Sequence, residues 1–186
     1  MNATFLSPTP FGPVAVVWSA DSGRPLVRRV VLPTLEARAE ELAARLCGNL
    51  RTASCAAIDA VCRDLRAFLE GADVRFSLGV ADIASCPAFQ RAVLAAEHAV
   101  PRGSVTTYRL LATRVGRPRA ARAAGTALAR NPFPIIVPCH RAVRSDGTLG
   151  GFQGGLGMKQ ALLAREGVAL DARGRVCVAR YHYAGV

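Results

Sequence analysis

Between residues 11 and 33 the chain reads FGPVAVVWSADSGRPLVRRVVLP, two β-branched apolar runs on either side of the turn cluster ADSGRP. That pattern predicts a β-hairpin. The following segment, TLEARAEELAARLCGNL, offers Thr34 as an N-cap, acids in its early turns and Gly48 near its end, and reads as a helix. In AAIDAVCRDLRAFLEG the residues Ile58, Val61, Cys62, Leu65, Phe68 and Leu69 recur at i, i+3, i+4 spacing and Gly71 closes the run, which predicts a second amphipathic helix. DVRFSL alternates as a short strand. VADIASCPAF reads as a linker whose Pro87 starts the next helix. The first part of the chain is therefore expected to be a small α/β unit.

Beyond residue 86 the pattern becomes helical. PAFQRAVLAAEHAV places Phe89, Val93 and Leu94 on one face, and His98 carries no assigned chemistry. PRGSVTTY is a loop or a short wing-like strand. YRLLATRVG and AARAAGTALARN then form two short helices joined by a tight glycine-containing turn, a helix-turn-helix pattern. The second of these has small side chains at Ala121, Ala123, Ala124, Gly125, Thr126 and Ala127. Such a helix packs closely on a neighbour, or else lets its backbone approach a groove while Arg119, Arg122 and Arg130 meet phosphates or bases. The pattern and the small residues together favour the groove. In the tail, the alternation of RVCVARY suits an extra strand, with Cys177 in a structural role.

An apolar fraction of 51% and a charged fraction of 20% describe a folded globular chain. No apolar run approaches the roughly 20 residues that span a bilayer, and no basic residue precedes the first apolar segment as a signal peptide requires. A soluble, cytoplasmic protein is expected. Six cysteines with loose spacing and no secretory signal point to reduced thiols rather than a disulfide framework. With no C-x-x-C pair and three scattered histidines, no metal site is expected. The net charge of +11 is uneven: residues 1–93 contribute +1 and residues 94–186 contribute +10. A cationic half joined to a neutral half points to a polyanion, nucleic acid first.

The stretch that concentrates the chemistry is NPFPIIVPCHRAV, Asn131 to Val143. Prolines 132, 134 and 138 hold the approach extended, and the apolar IIV is short enough for a buried strand. Cys139 then falls between strand and loop, as a buried hydrophobe, a metal ligand or a nucleophile. A nucleophilic cysteine needs a base or cationic surroundings to populate its thiolate, and His140 and Arg141 are the adjacent candidates.

The wider segment NPFPIIVPCHRAVRSDGTLGGFQGGLGMKQALLAREG, with FQRAVLAAEHAVPRGSVTTYRLLATRVGRPRAARAAGTALARNP before it, resembles the O6-alkylguanine-DNA alkyltransferases. The shared features are Pro-Cys-His-Arg after an apolar run, a Gly-rich loop and a Leu-Leu-x-x-Glu helix, over roughly residues 86–168. The resemblance implies an N-terminal α/β domain over residues 1–82, a small antiparallel sheet with helices of ribonuclease H-like type. Residues 83–186 would be a mainly α, DNA-binding and alkyl-acceptor domain with a winged helix-turn-helix. It implies that Cys139 takes the alkyl group from O6-alkylguanine in double-stranded DNA, with O4-alkylthymine as a second candidate lesion, once per molecule. His140 would act through a water, Glu166 would orient it, Asn131 would brace the turn, and Tyr108 would offer its hydroxyl to the leaving base. Arg122 would enter the base stack, with Ala121, Arg119, Arg130 and Thr107 on the DNA side. Ser145, Gly150, Phe152 and Gln153 would wall the base pocket. No cofactor is implied, and a monomer without membrane contact is expected. Phe152 stands where many relatives carry tyrosine, and residues 1–33 contain neither Cys nor His for the zinc cluster of some eukaryotic relatives. A lesion sensor of the same fold lacks the acceptor cysteine, a plain helix-turn-helix regulator does not explain PCHRAV, and a Cys hydrolase lacks a visibly arranged His and acid.

Overall fold

The computed structural model describes residues 1–21 and 23–185; Ser22, inside the expected hairpin turn, and Val186, the last residue of the tail, lie outside the described residues. The chain clusters into two compact units. One comprises Met1–Ser85 with Pro132–Ile136, the other Cys86–Asn131 with the chain from Val137 onward. Together the described residues form a mixed α/β protein with six α-helices.

The first unit is built on a four-stranded sheet in the order β3-β2-β1-β4. The expected hairpin is β2 (Val14–Ser19) against β3 (Leu26–Val31), antiparallel, with a register shift between Val17 and Trp18. β2 is buried along its whole length, because β1 (Asn2–Leu6) flanks it on its other edge and helix α1 (Ala39–Cys47) covers Ala15, Val17 and Val31. β1 is absent from the sequence reading, since its five residues mix polar and apolar side chains without a turn signal before them. α1 begins later than expected: Thr34 accepts from Glu36 and Ala37 N–H groups in a local turn, and the N-cap position falls to Arg38. α2 (Ala56–Glu70) buries Ile58, Val61, Leu65, Phe68 and Leu69, and ends on Gly71 in the left-handed region, as the periodicity predicts. β4 (Arg51–Thr52) pairs in parallel with β1.

DVRFSL is not a strand. Its chain runs irregularly into a single 3-10 turn at Leu78–Val80, with Phe76 buried against Phe68 at 6.1 Å between ring centroids. The IIV segment also differs from expectation: Ile135, Ile136 and Val137 are buried, but in a turn rather than a strand. Pro134 and Pro138 have no N–H to give a ladder, and Ile135 sits at φ 74°, a left-handed conformation that costs a β-branched residue on the order of 1–3 kcal/mol.

In the second unit, α3 (Ala88–His98) takes Pro87 as its N-cap residue and buries Val93, Leu94 and Glu97. β5 (Thr106–Thr107) runs into α4 (Tyr108–Arg114), whose first turn is capped by the Thr107 hydroxyl accepting from Leu110 N–H at 3.1 Å. A turn through Gly116 leads to α5 (Ala121–Ala129). Cys139–Arg141 form one 3-10 turn, followed by β6 (Ala142–Val143), parallel to β5. α6 (Gly155–Arg165) then delivers Glu166 at its C-cap. The tail makes isolated bridges, Thr148 with Arg175 and Leu170 with Val176, instead of a strand, and Cys177 is exposed. It is fastened by His182 N–H to Val105 O at 2.8 Å and by the Tyr183 hydroxyl to Ala96 O at 2.8 Å.

Val105, Val143, Leu149, Leu163, Val168 and Val176 form the buried cluster beneath these elements. Leu163→Ala is expected to cost about 2–5 kcal/mol. A lowered urea midpoint at unchanged slope is the measurement; an unchanged midpoint would show that the cluster does not hold the unit together.

Candidate active site

The site grows from a single carboxylate. Glu166, buried at the end of α6, accepts two hydrogen bonds from the Arg141 guanidinium, Nε to Oε2 at 2.8 Å and Nη2 to Oε1 at 2.7 Å. The remaining Arg141 nitrogen, Nη1, donates to Val100 O just beyond α3 at 2.7 Å. His140 Nε2 lies 2.9 Å from Glu166 Oε1. Burial pushes the Glu166 carboxyl upward, but the bonds and charges of His140 and Arg141 outweigh it and hold the group at about 2. An ionised carboxylate can only accept, so His140 carries its proton on Nε2 and keeps Nδ1 as the basic nitrogen. Burial also lowers the His140 pKa, against the opposing pull of Glu166, and the imidazole is neutral at rest.

Cys139 precedes this pair and is 5% exposed. Burial pushes its thiol up to about 11, with the Asn131 side-chain hydrogen bond working in the other direction. Asn131 is itself fully buried and donates from Nδ2 to Val137 O at 3.2 Å, so one amide ties the end of α5 to the chain before the cysteine. Cys139 thus rests as a protonated thiol next in the chain to a neutral imidazole.

Cys139 opens into a cleft of about 640 Å³. Tyr108, Arg122, Gly150, Phe152 and Gln153 line it as the sequence reading expects, and Gly125, Thr126, Leu128, Ala129, Arg144 and Gly151 join them. Tyr108 lies between the small face of α5 and the Gly-rich loop. A Cβ on Gly125 would stand 3.8 Å from its ring, and one on Gly150 would fall 2.5 Å from its hydroxyl. Gly150 also takes φ 67°, so glycine is required twice over, for backbone and for space. Phe152 meets the His140 ring edge-on at 6.3 Å. Gln153 donates to Asn131 O at 2.6 Å and, with Gln90 bonding Ala127 O and Arg130 O, satisfies the last carbonyls of α5.

Several expected residues lie outside this cleft. Ser145 is exposed in the turn closed by Gly147 N–H to Arg144 O. Arg119 and Arg130 are exposed at the two ends of α5, and Ala121 is half-buried in its first turn. Thr107 is buried as the cap of α4. Two buried groups escaped the sequence reading. Lys159 on α6, fully buried, donates to Ala142 O at 2.6 Å and to Leu149 O, pinning the loop that carries Gly150. Its signal was available: it is the sole lysine in a chain with 23 arginines. Glu97 on α3 is also fully buried, and nothing in its helical spacing distinguishes it from a surface acid. Among the described residues, no group of three or more His, Cys, Asp or Glu could hold a metal ion. No helix there is long and apolar enough to cross a membrane.

This arrangement, a cysteine at the floor of a cleft with a His–Glu pair behind it, coincides with a family match. Residues 88–168 fit the model described as 6-O-methylguanine DNA methyltransferase, DNA binding domain. The methylated-DNA--protein-cysteine methyltransferase of Methanothermobacter thermautotrophicus is 46% identical over 117 residues, covering 63% of this chain and 65% of that protein. The protein of the same name from Salmonella typhimurium is 50% identical over 82 residues, covering 44% and 48%. The chain thus spans 48% to 65% of the length of these curated relatives. Among solved structures, Mycobacterium tuberculosis OGT in complex with DNA superposes with a TM-score of 0.68 at 28% identity, covering 89% of this chain and 92% of that one. The O6-methylguanine-DNA methyltransferase of Pyrococcus kodakaraensis superposes with a TM-score of 0.69 at 28% identity, covering 90% and 99%.

Glu166→Gln removes a charge on which Arg141 and His140 both depend, and leaves a buried guanidinium without its anion. It is expected to cost about 3–5 kcal/mol in denaturant unfolding. The Glu166 pKa is lower in the folded chain than its ordinary 4.5. Its stabilisation is therefore complete above pH 4.5 and lost as pH falls toward 2. The wild-type loss of stability across that window should be shallower in the Gln variant, and equal slopes would contradict the role of Glu166.

Proposed function

We propose that this protein repairs alkylated DNA by direct reversal, moving the alkyl group of O6-alkylguanine onto Cys139. The observation that carries the reading is the opening of Cys139 into a cleft of about 640 Å³, with Tyr108 on its wall and the His140–Glu166 pair adjoining the cysteine. In the reaction, Cys139 Sγ forms a bond to the alkyl carbon as the C–O6 bond breaks in line. The thiol proton passes through a water to His140 Nδ1. Tyr108 donates toward a ring nitrogen of the departing guanine, so that negative charge never accumulates on the base. Burial holds the Tyr108 hydroxyl up at about 12, which keeps it protonated and able to donate. The thioether has no hydrolysis route, and each molecule reacts once. O4-alkylthymine is a second lesion of compatible shape.

A lesion stacked in a duplex cannot meet a buried thiol, so the nucleotide must leave the helix, at a cost of a few kcal/mol. We read α4, its turn and α5 as a winged helix-turn-helix on the DNA, with the small residues from Ala121 admitting the backbone to the groove. Arg122, exposed at the cleft mouth, fills the stack left by the flipped base. Arg119 and Arg130 answer phosphates, with Thr107 as the buried cap of α4, while Gly150, Phe152 and Gln153 form the base-side wall and Ser145 stands outside it in the exposed turn. The N-terminal residues 1–82 are read as a ribonuclease H-like domain and residues 83–186 as the acceptor domain of a cytoplasmic monomer that uses no cofactor.

Incubation with duplex DNA bearing O6-methylguanine should add one methyl group to the tryptic peptide Asn131–Arg141, read by mass spectrometry. An unmodified peptide together with tight lesion binding would turn the reading to a lesion sensor. Arg122→Ala should slow transfer from duplex DNA about tenfold or more and leave transfer from free O6-benzylguanine nearly unchanged. Equal losses on both substrates would remove the stack-filling role.

A further inference from the structure

Glu97 takes no part in the chemistry above, yet it lies on the helix that packs against the Cys139 turn. It lies on the inward face of α3, fully buried, and neither carboxyl oxygen has a hydrogen-bond partner. An apolar side chain would fill that space without the penalty of a buried polar group. The groups around it belong to the acceptor site and come from every element that meets there. Lys159 and Glu166 act on it from α6, and Arg141 from the 3-10 turn. Glu97 in turn acts on Cys139 in that turn, on Tyr108 at the start of α4, on Lys159, and on Tyr183 in the tail.

We propose, resting on the alkyl-acceptor reading, that Glu97 is a positioning residue for the nucleophile: it and Lys159 are two buried titratable groups, on the two helices that pack against the Cys139 turn, whose combined charge sets how readily the Cys139 thiol ionises. Burial drives the two groups toward each other on the pH scale, Glu97 up to about 8 and Lys159 down to about 8. Neighbouring groups that titrate together release protons as a pair. Below that range the acid is neutral and the ammonium charged, a net positive charge that favours a thiolate. Above it the pair has lost one proton, and a carboxylate faces the thiol. The Glu97 charge opposes Cys139 ionisation more strongly than Lys159 assists it. As pH rises, Glu97 therefore restrains the thiol.

The test uses the full chain, pulsed with iodoacetamide between pH 6 and 10, with Cys139 alkylation followed on the Asn131–Arg141 peptide. Glu97→Gln should move the Cys139 profile to lower pH, with labelling about three- to tenfold faster at pH 9. Glu97→Leu should move it the same way. Profiles that superimpose on wild type, or that move to higher pH, overturn the proposal. The buried Cys86 reports folding in the same digest, and its exposure in both variants would mean that Glu97 serves packing alone, which also overturns it. Transfer from O6-benzylguanine is measured in parallel. A wild-type protein that takes no benzyl group, with the variant profiles still shifted, would sink the alkyl-acceptor reading and leave the Glu97 coupling standing.

Discussion

One buried carboxylate organises the acceptor unit. Glu166 receives the Arg141 fork, the His140 ring and, more weakly, Gly103 N–H at 3.4 Å, while Arg141 also reaches Val100 O. The end of α6, the turn carrying the nucleophile and the chain leaving α3 are thereby fixed to a single point. A buried ion pair gains little net stability over apolar packing of the same volume. Its value here is geometric. The planar guanidinium offers a rigid fork that a lysine could not supply, and it leaves the second lobe of Glu166 Oε1 for the imidazole. Without that shared oxygen the His140 tautomer would be unset, and Nδ1 would not be the basic nitrogen.

The same burial creates the central tension of the site. A thiol at about 11 is almost wholly protonated at neutral pH, and so protected from oxidation and stray electrophiles while it waits. On the proposed single-use transfer, such restraint is an advantage. In the proposed transfer the proton must then leave, which places the demand on the neutral imidazole and on Asn131, whose hydrogen bond favours the thiolate. Low polarity around the sulfur raises its pKa, and it also strips water from the thiolate once formed, leaving a stronger nucleophile.

Much of this was readable in the residues. The hairpin, α2 and the two helices around Gly116 follow from strong periodicity bounded by turn residues, and the cleft follows from PCHR and the glycine loop. The misses have physical causes. Thr34 has the chemistry of an N-cap, but its hydroxyl satisfies a local turn first. DVRFSL alternates because Phe76 must reach Phe68, and no partner strand is in place to pair it. IIV is apolar enough for a strand, but prolines on both sides remove the donors. Glu97 and Lys159 were hidden for another reason. Periodicity assigns charged residues to the outside, and only the three-dimensional meeting of α3, α6 and the Cys139 turn puts both within.

That inward placement changes the meaning of the charge. Residues 94–186 contain four acids: Glu97 and Glu166 are buried, and Asp146 and Asp171 are occupied with Thr148 and Arg175 on their own loops. On the cationic side only Arg141 and Lys159 are buried, which leaves twelve arginines at least partly exposed. The surface presented to solvent therefore carries the whole +10, twelve arginines against two aspartates, since the two buried acids are matched by the two buried cations. For a phosphate backbone, whose attraction depends on exposed cations and the counterions they release, the two acids buried in this unit cost nothing in binding. With the Glu166 carboxylate paired behind the cysteine and the arginines on the outer face, one small unit keeps its buried charges matched at its centre and its unmatched cations at its edge.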